Sequence, residues 1–287
     1  VLFVEKGRQG PRADRVALSG LVTDPVARSV RGFWPMPVAA EIDGRRSEFF
    51  APLGSGVGGS SVFYAATLER PERHDLEPTE GRPHPTGGWP IGYDGLAPAY
   101  EEAERLLEIC GEPDPLSPEA GGALRAPPPL SGDDATLMRE FRDAGLHPYR
   151  LHSALRYVDG CLGCLGGKCP RRCKMDGRSA GVEPALETGR AALLDRCEVT
   201  RLVGAADRVD GVEVLHDGVR RVLRADRVVL AAGALGSPRV LMASAGEQWP
   251  DGCGNGAGLV GRNLMFHLNE LMAIWPRRRM TSAGPSK

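Results

Sequence analysis

Net charge is almost absent from this 287-residue chain, with 36 Lys and Arg against 37 Asp and Glu and a formal charge of −1. That balance excludes a general nucleic-acid binder, which needs a basic field, and no nucleic-acid partner is expected. The triplet Arg277-Arg278-Arg279 is too short to supply one and reads as a solvated tail over residues 276–287. Long apolar runs are missing too. None approaches the roughly 18 residues of a membrane span; the lack of a visible signal-peptide pattern is uninformative if the true amino terminus is missing, and the compartment is unknown, with a cytoplasmic location favoured. Aromatic residues make up only 6%, while Gly (38) and Pro (24) are plentiful. That profile suits an α/β protein with many long connections. No internal repeat occurs. The seven cysteines are odd in number and clustered, which argues against a secreted disulfide framework.

What is present begins with an apolar run. Val1, Leu2, Phe3 and Val4 predict a buried strand ending on Glu5. In dinucleotide-binding folds such an acid closes the second strand, about 20 residues beyond a glycine fingerprint. Residues 94–111 predict a helix with Asp94 as cap, Pro98 in the first turn and Gly111 as stop. On it Tyr100, Ala103, Leu106, Leu107 and Cys110 share a face. A second amphipathic helix, residues 133–145, turns Leu137, Met138 and Phe141 inward. Residues 71–90 and 112–132 are Pro- and Gly-rich connections. From Val199 the period changes to strands, "VTRLV", "GVEVL", "VRRVL" and "RVVLAAG", with His216-Asp217-Gly218 as a turn. A helix follows, with Ser237 as its cap and Pro238 at its first position.

Gly54-Ser55-Gly56-Val57-Gly58-Gly59 matches G-x-G-x-x-G in form. Its context is not that of the dinucleotide fingerprint, because the preceding segment is short and holds Pro52. A flexible turn and a backbone cradle for a phosphate or flavin ring both remain open. Ala231-Ala232-Gly233, at a strand end, allow either close packing or a ligand across the sheet edge. The segment "CLGCLGGKCPRRC" spaces Cys161, Cys164, Cys169 and Cys173 as C-x2-C-x4-C-x3-C. Four thiolates at this density suit an iron–sulfur cluster or a structural zinc. Reduced thiols in a turn, or a redox-labile disulfide pair, are equally open readings.

Several separated stretches, taken together, resemble the glucose–methanol–choline (GMC) flavoprotein oxidoreductases. "VLFVEKG" resembles the second nucleotide-binding strand with its ribose-binding acid, and "GSGVGGSSVFYAA" the first family signature. "WPIGYDGLAPAYEEAE" is similar to the segment after it, "CEVTRLV" to the strand whose valine meets adenine, "GALGSPRVLMASAG" to the second signature and "GLVGRNLMFH" to a later element. Tyr64, Ser55, Phe63 and Ala245 depart from the usual signature residues.

The resemblance implies an α/β fold: an incomplete Rossmann-like FAD-binding domain, without its first strand and glycine-loop helix, plus a β-meander and a helical insertion. Residues 1–70 and 199–275 would form the FAD core, 71–160 the insertion towards substrate, and 161–198 a cysteine-rich segment. FAD would meet Glu5, Gly54, Gly56, Gly58, Gly59, Ser60, Ser61, Val199, Ala232, Gly233 and Asn263. The implied chemistry is hydride transfer from a small-molecule alcohol to the flavin, with an acceptor protein or quinone taking the electrons. In some dehydrogenase-type relatives a cysteine-borne cluster passes electrons onward. A neutral histidine of pKa about 6.5 suits the base role. None of His74, His84, His147, His152, His216 and His267 lies in the family's catalytic context, so no catalytic residue is expected here. The family's catalytic carboxyl-terminal segment is also missing, and the chain alone is expected to bind flavin weakly and not to turn over. The competing expectations are a non-catalytic cysteine-rich metal or electron-relay module on an α/β scaffold, and an inactive fragment.

Overall fold

A computed structural model describes residues 1–12, 23–119, 122–161, 163–164, 166–265 and 277. His267, Arg278 and Arg279 lie outside these.

Strand β1 (Leu2–Val4) runs parallel to β4 (Ala192–Leu194), with Phe3 opposite Leu193. The pairing continues past the strand, as Glu5 N–H donates to Leu194 O at 2.9 Å and Cys197 N–H to Glu5 O at 2.9 Å. The expected burial of β1 holds only in part. Phe3 and Val4 are half-buried, whereas Val1 is 85% and Leu2 49% exposed. β1 has β4 alone as a neighbour among the described residues.

Helix α1 (Pro25–Arg31) follows local rules. Asp24 caps it by accepting from Ala27 N–H at 2.7 Å, Pro25 fills the first turn, and Gly32 ends it at φ 85°. A hairpin, β2 (Val38–Ile42) and β3 (Arg45–Phe49), turns through Asp43 and Gly44, both at positive φ. Helix α2 (Tyr93–Leu106) starts earlier than expected, capped by Gly92, so Asp94 lies inside it and binds Arg73 instead. Leu106 is 60% exposed, off the face on which Tyr93 and Glu104 are buried. Helix α3 (Gly132–Asp143) is capped by Ser131, whose Oγ accepts from Asp134 N–H.

Strands β5 (Cys197–Ala205), β6 (Arg208–His216) and β7 (Val219–Arg224) form the expected meander. Asp217 and Gly218, at φ 50° and 77°, make the two-residue turn whose twist suits a hairpin. Helix α5 (Gly233–Ala243) lies against β5. Val240 enters the core with Cys197, Leu202, Val212 and Val214, and Ser244 Oγ accepts from Leu202 N–H at 2.8 Å. Its start is corrected from Ser237 to Gly233: Ser237 Oγ accepts from Ala232 N–H inside the first turns.

The expected strand at residues 227–231 does not form a ladder among the described residues. Val228 and Leu230 pack on the meander core while Val229 is 88% exposed. That alternation is strand-like, but no partner backbone lies alongside to pair with it. A second core, of Ala66, Ile109, Ala154, Leu155, Met175 and Ala180, joins the glycine-loop region to the cysteine-rich segment. No helix among the described residues is long and apolar enough to cross a membrane.

Candidate functional site

The end of β1 is seated on the glycine loop. Gly7 lies so close to it that a Cβ there would stand 2.1 Å from Ser55 O. Arg8 bridges in parallel to Gly56, and Val57 N–H donates to Arg8 O at 3.4 Å. Glu5 is brought to the same place: its Oε1 accepts from Gly7 N–H at 2.7 Å. Burial pushes its carboxyl above the usual value, against the Gly7 hydrogen bond, and Asp195 adds to the rise.

Within the loop the glycines answer to different constraints. A Cβ on Gly54 would lie 2.3 Å from Gly59 C and Ser60 N; one on Gly56 would lie 2.8 Å from Arg8 O. Gly58, at φ 94°, faces Val62 and Arg178 at 2.6 and 2.9 Å. These three glycines serve close packing of the loop on itself and its supports. Gly59 is different. It is left-handed at φ 55°, and a Cβ there would meet nothing within 4 Å. From it a short 3-10 turn, Gly59–Phe63, continues the chain.

The two serines hold the loop. Ser60 Oγ accepts from Gly54 N–H at 2.9 Å. Ser61 Oγ donates to Gly58 O at 2.5 Å and accepts from Gly177 N–H at 2.9 Å. The atypical Phe63 stacks on Phe33 at 4.2 Å, and the atypical Tyr64 donates to Met175 O at 2.7 Å. Both departures from the signature are therefore packing contacts to neighbouring segments.

Gly56 and Gly59 face a cleft whose other walls include Arg8, Arg12, Lys168, Cys169 and Arg178. The cleft is cationic. Arg12 and Arg178 both bind Glu183, which Arg172 joins at 3.0 Å. Burial works to raise the Glu183 carboxyl, but hydrogen bonds from Arg178 and Arg12 outweigh it and hold it below the carboxylate range. Arg8 has no side-chain partner among the described residues and is exposed at the rim.

The remaining expected contacts lie off this cleft. Val199 is on β5, paired with Val214, two residues beyond the Cys197–Glu5 link. Ala232 and Gly233 are exposed at the start of α5. Glu198 ties that helix to β1, binding Lys6 at 2.8 Å and Arg239 at 3.1 Å. Asn263 is exposed at φ 57° and does not line the cleft.

The cysteine-rich segment is anchored by Lys174, the most deeply buried charged residue. Its ammonium donates to Tyr64 O, Cys164 O and Gly167 O at 3.0, 3.2 and 2.5 Å. Burial holds its pKa below the usual lysine value. Cys173 Sγ lies 3.3 Å from Cys169 Sγ and 3.7 Å from Cys161 Sγ. Thiolates bound tetrahedrally at about 2.3 Å from zinc stand about 3.8 Å apart. The Cys161–Cys173 spacing is close to that and the Cys169–Cys173 spacing is shorter, and no group of three or more His, Cys, Asp or Glu among the described residues is arranged to hold a metal. No step is derived through a metal at Cys161, Cys164, Cys169 and Cys173.

Gly7, Arg8 and Arg178 were not picked out by the sequence, and Lys174 only as a positive charge near the cysteines. Gly7 carried a signal, a glycine two residues after the acid; Arg8 and Arg178 are placed only by the tertiary fold.

The family model described as GMC oxidoreductase matches residues 19–269. Paromamine 6'-oxidase of Streptomyces fradiae is 30% identical over 299 aligned residues, covering 95% of this chain and 50% of that protein. A 2-methyl-1,2-propanediol dehydrogenase of Mycolicibacterium austroafricanum is 30% identical over 77% of this chain and 42% of its own length. Among solved structures, an FAD-dependent oxidoreductase from Chaetomium thermophilum superposes with a TM-score of 0.52 at 16% identity, covering 85% of this chain and 43% of that one. The chain thus spans about half the length of the curated relatives it matches.

Proposed function

The chain belongs to the GMC oxidoreductase family, and on that premise we propose that it forms the FAD-holding part of an enzyme that oxidises an alcohol at its CH–OH carbon. The observation that supports this most is the seating of the β1 end on the glycine loop, which sets Arg8 and the open backbone of Gly59 on one cleft, where Arg8, Arg12, Lys168 and Arg178 outnumber Asp176, and leaves Glu5 beside it on Gly7 N–H. An acid for hydroxyls, a cation for phosphate and a side-chain-free backbone are the donor set a dinucleotide needs. Bound FAD would supply the hydride acceptor.

The chain's own residues bind and orient. Glu5 takes the ribose hydroxyls, Arg8 a phosphate oxygen, and Gly59 admits the flavin side, with Gly58 packed behind it on Val62 and Arg178. Gly54, Gly56, Ser60 and Ser61 hold the loop in shape. Val199, Ala232 and Gly233 flank the adenine and pyrophosphate side, with Asn263 beyond them. Residues 1–70 and 199–275 make up this core, 71–160 face the substrate, and 161–198 brace the glycine loop. No proton-transfer residue is assigned within the chain.

The relatives named above are an oxidase and a diol dehydrogenase, which supports a small-molecule alcohol as substrate and an external acceptor, protein or quinone, for the electrons. The seven cysteines are all free thiols, which fits a reducing, cytoplasmic setting. Fluorescence titration of the apoprotein with FAD tests the cleft. Arg8→Ala removes a charge-assisted phosphate contact and weakens binding about tenfold, roughly 1.4 kcal/mol. Unchanged affinity in that variant would exclude Arg8 from the site.

A further inference from the structure

Two of the four clustered thiols are positioned for each other. Cys169 and Cys173 are both 2% exposed, with sulfurs 3.3 Å apart, closer than Cys173 stands to Cys161. From that distance small side-chain rotations reach the roughly 2.05 Å of a disulfide bond. The sites also differ in kind. Cys169 is the member of the pair among the residues lining the cleft, and Cys173 is not. Cys173 instead faces the sulfurs of Cys169 and Cys161. The nearest opening to the pair is this cleft, which Cys169 lines beside Gly56 and Gly59.

We propose that Cys169 and Cys173 are a dithiol that a hydroperoxide closes to a disulfide and a thiol reductant reopens. In the first step the Cys169 thiolate attacks a peroxide oxygen. An S–O bond forms, the O–O bond breaks, and the leaving oxygen takes a proton to depart as water or an alcohol. In the second, the Cys173 sulfur displaces hydroxide from the Cys169 sulfenic acid. The S–S bond forms, and the hydroxide leaves as water with the Cys173 proton. Two thiols are oxidised by two electrons and one hydroperoxide is reduced. Cys164 and Gly167, in the same loop, share the Lys174 ammonium with Tyr64 at the end of the glycine loop. Closure of the pair therefore acts on the wall of the cleft, whatever that cleft binds.

The test is a thiol count by mass spectrometry on the full chain, alkylated under denaturing conditions after exposure to hydrogen peroxide. Reduced protein labels at all seven cysteines. Peroxide-treated protein loses label at Cys169 and Cys173 only, and dithiothreitol restores both. Cys161→Ser behaves identically, losing the same two. The proposal is overturned if all seven remain labelled, if the lost pair includes Cys161, or if the loss resists reductant. It is equally overturned if purified protein carries stoichiometric zinc or iron that shields the four thiols.

Discussion

A methyl group on Gly54 would sit 2.3 Å from backbone atoms of Gly59 and Ser60, whereas one on Gly59 would meet nothing within 4 Å. The two glycines thus separate folding from ligand binding. Gly54→Ala forces the loop apart, at a cost of about 1–3 kcal/mol, and lowers the melting temperature by several degrees. Gly59→Ala costs only the left-handed backbone term, about 1–2 kcal/mol, or roughly 2–8 °C in a protein of this size, yet reduces flavin retention. Differential scanning calorimetry beside flavin content distinguishes them. Equal flavin loss in both, in proportion to stability, would count against a separate role for Gly59.

His152 gives a pH signature at the same scale. Its Nδ1 lies 2.9 Å from Glu69 Oε2. Burial works to lower the imidazole pKa, but the Glu69 hydrogen bond and charge raise it overall. Glu69 is shifted down: burial opposes, and the His152 hydrogen bonds and charge prevail. The histidine's contribution is complete below its unfolded pKa of about 6.5 and fades as pH rises through the raised folded value. The carboxylate's contribution is present above about 4.3 and is lost as pH falls through its lowered folded value. Glu69→Gln should therefore destabilise most between about pH 4.5 and 6.5, with the difference from wild type shrinking towards pH 9. A pH-independent difference in melting temperature would contradict the ion pair.

At the scale of elements, Lys174 does the work of a strut. It spans the glycine loop and the cysteine loop through three carbonyls, using all three ammonium donors. Lys174→Met leaves those carbonyls without a donor, and each such loss costs roughly 1–3 kcal/mol. The expected result is a lower urea midpoint and faster tryptic cleavage after Arg171 and Arg172. An unchanged cleavage pattern would show that the segment stays docked without the lysine.

Elements were legible where a local rule carried them. The meander followed from alternation plus Asp217-Gly218, and α3 from the apolar face of Leu137, Met138 and Phe141. The hairpin β2–β3 had the same Asp-Gly turn, but β3 is exposed throughout and β2 is half-buried only at Val38 and Ala40, too little for an apolar alternation to mark them. Residues 227–231 showed the opposite failure. The β-favouring run was real, but a ladder needs a second backbone, which composition cannot supply. Helix α5 was placed late because Ser237 resembles a cap, while small residues from Gly233 let the chain turn earlier.

Over the whole molecule, the sequence reached the right segments and missed their contacts. Glu5 and the glycine loop are far apart in sequence from Lys174 and Arg178, and only packing brings Tyr64 to Met175 and Arg178 to Gly58. At the four cysteines the same holds: spacing along the chain sets their density but not their sulfur–sulfur distances, which the fold sets at 3.3 and 3.7 Å from Cys173. What the fold builds instead is a braced cationic cleft at the end of a parallel strand pair.

The central claim is that this cleft holds FAD, and the most direct measurement is the flavin content of purified protein carrying this chain, wild type against Gly59→Val. The account predicts bound flavin in the wild type and its loss in Gly59→Val, with the fold retained by circular dichroism. Wild-type flavin absorbance in a folded Gly59→Val protein would contradict it.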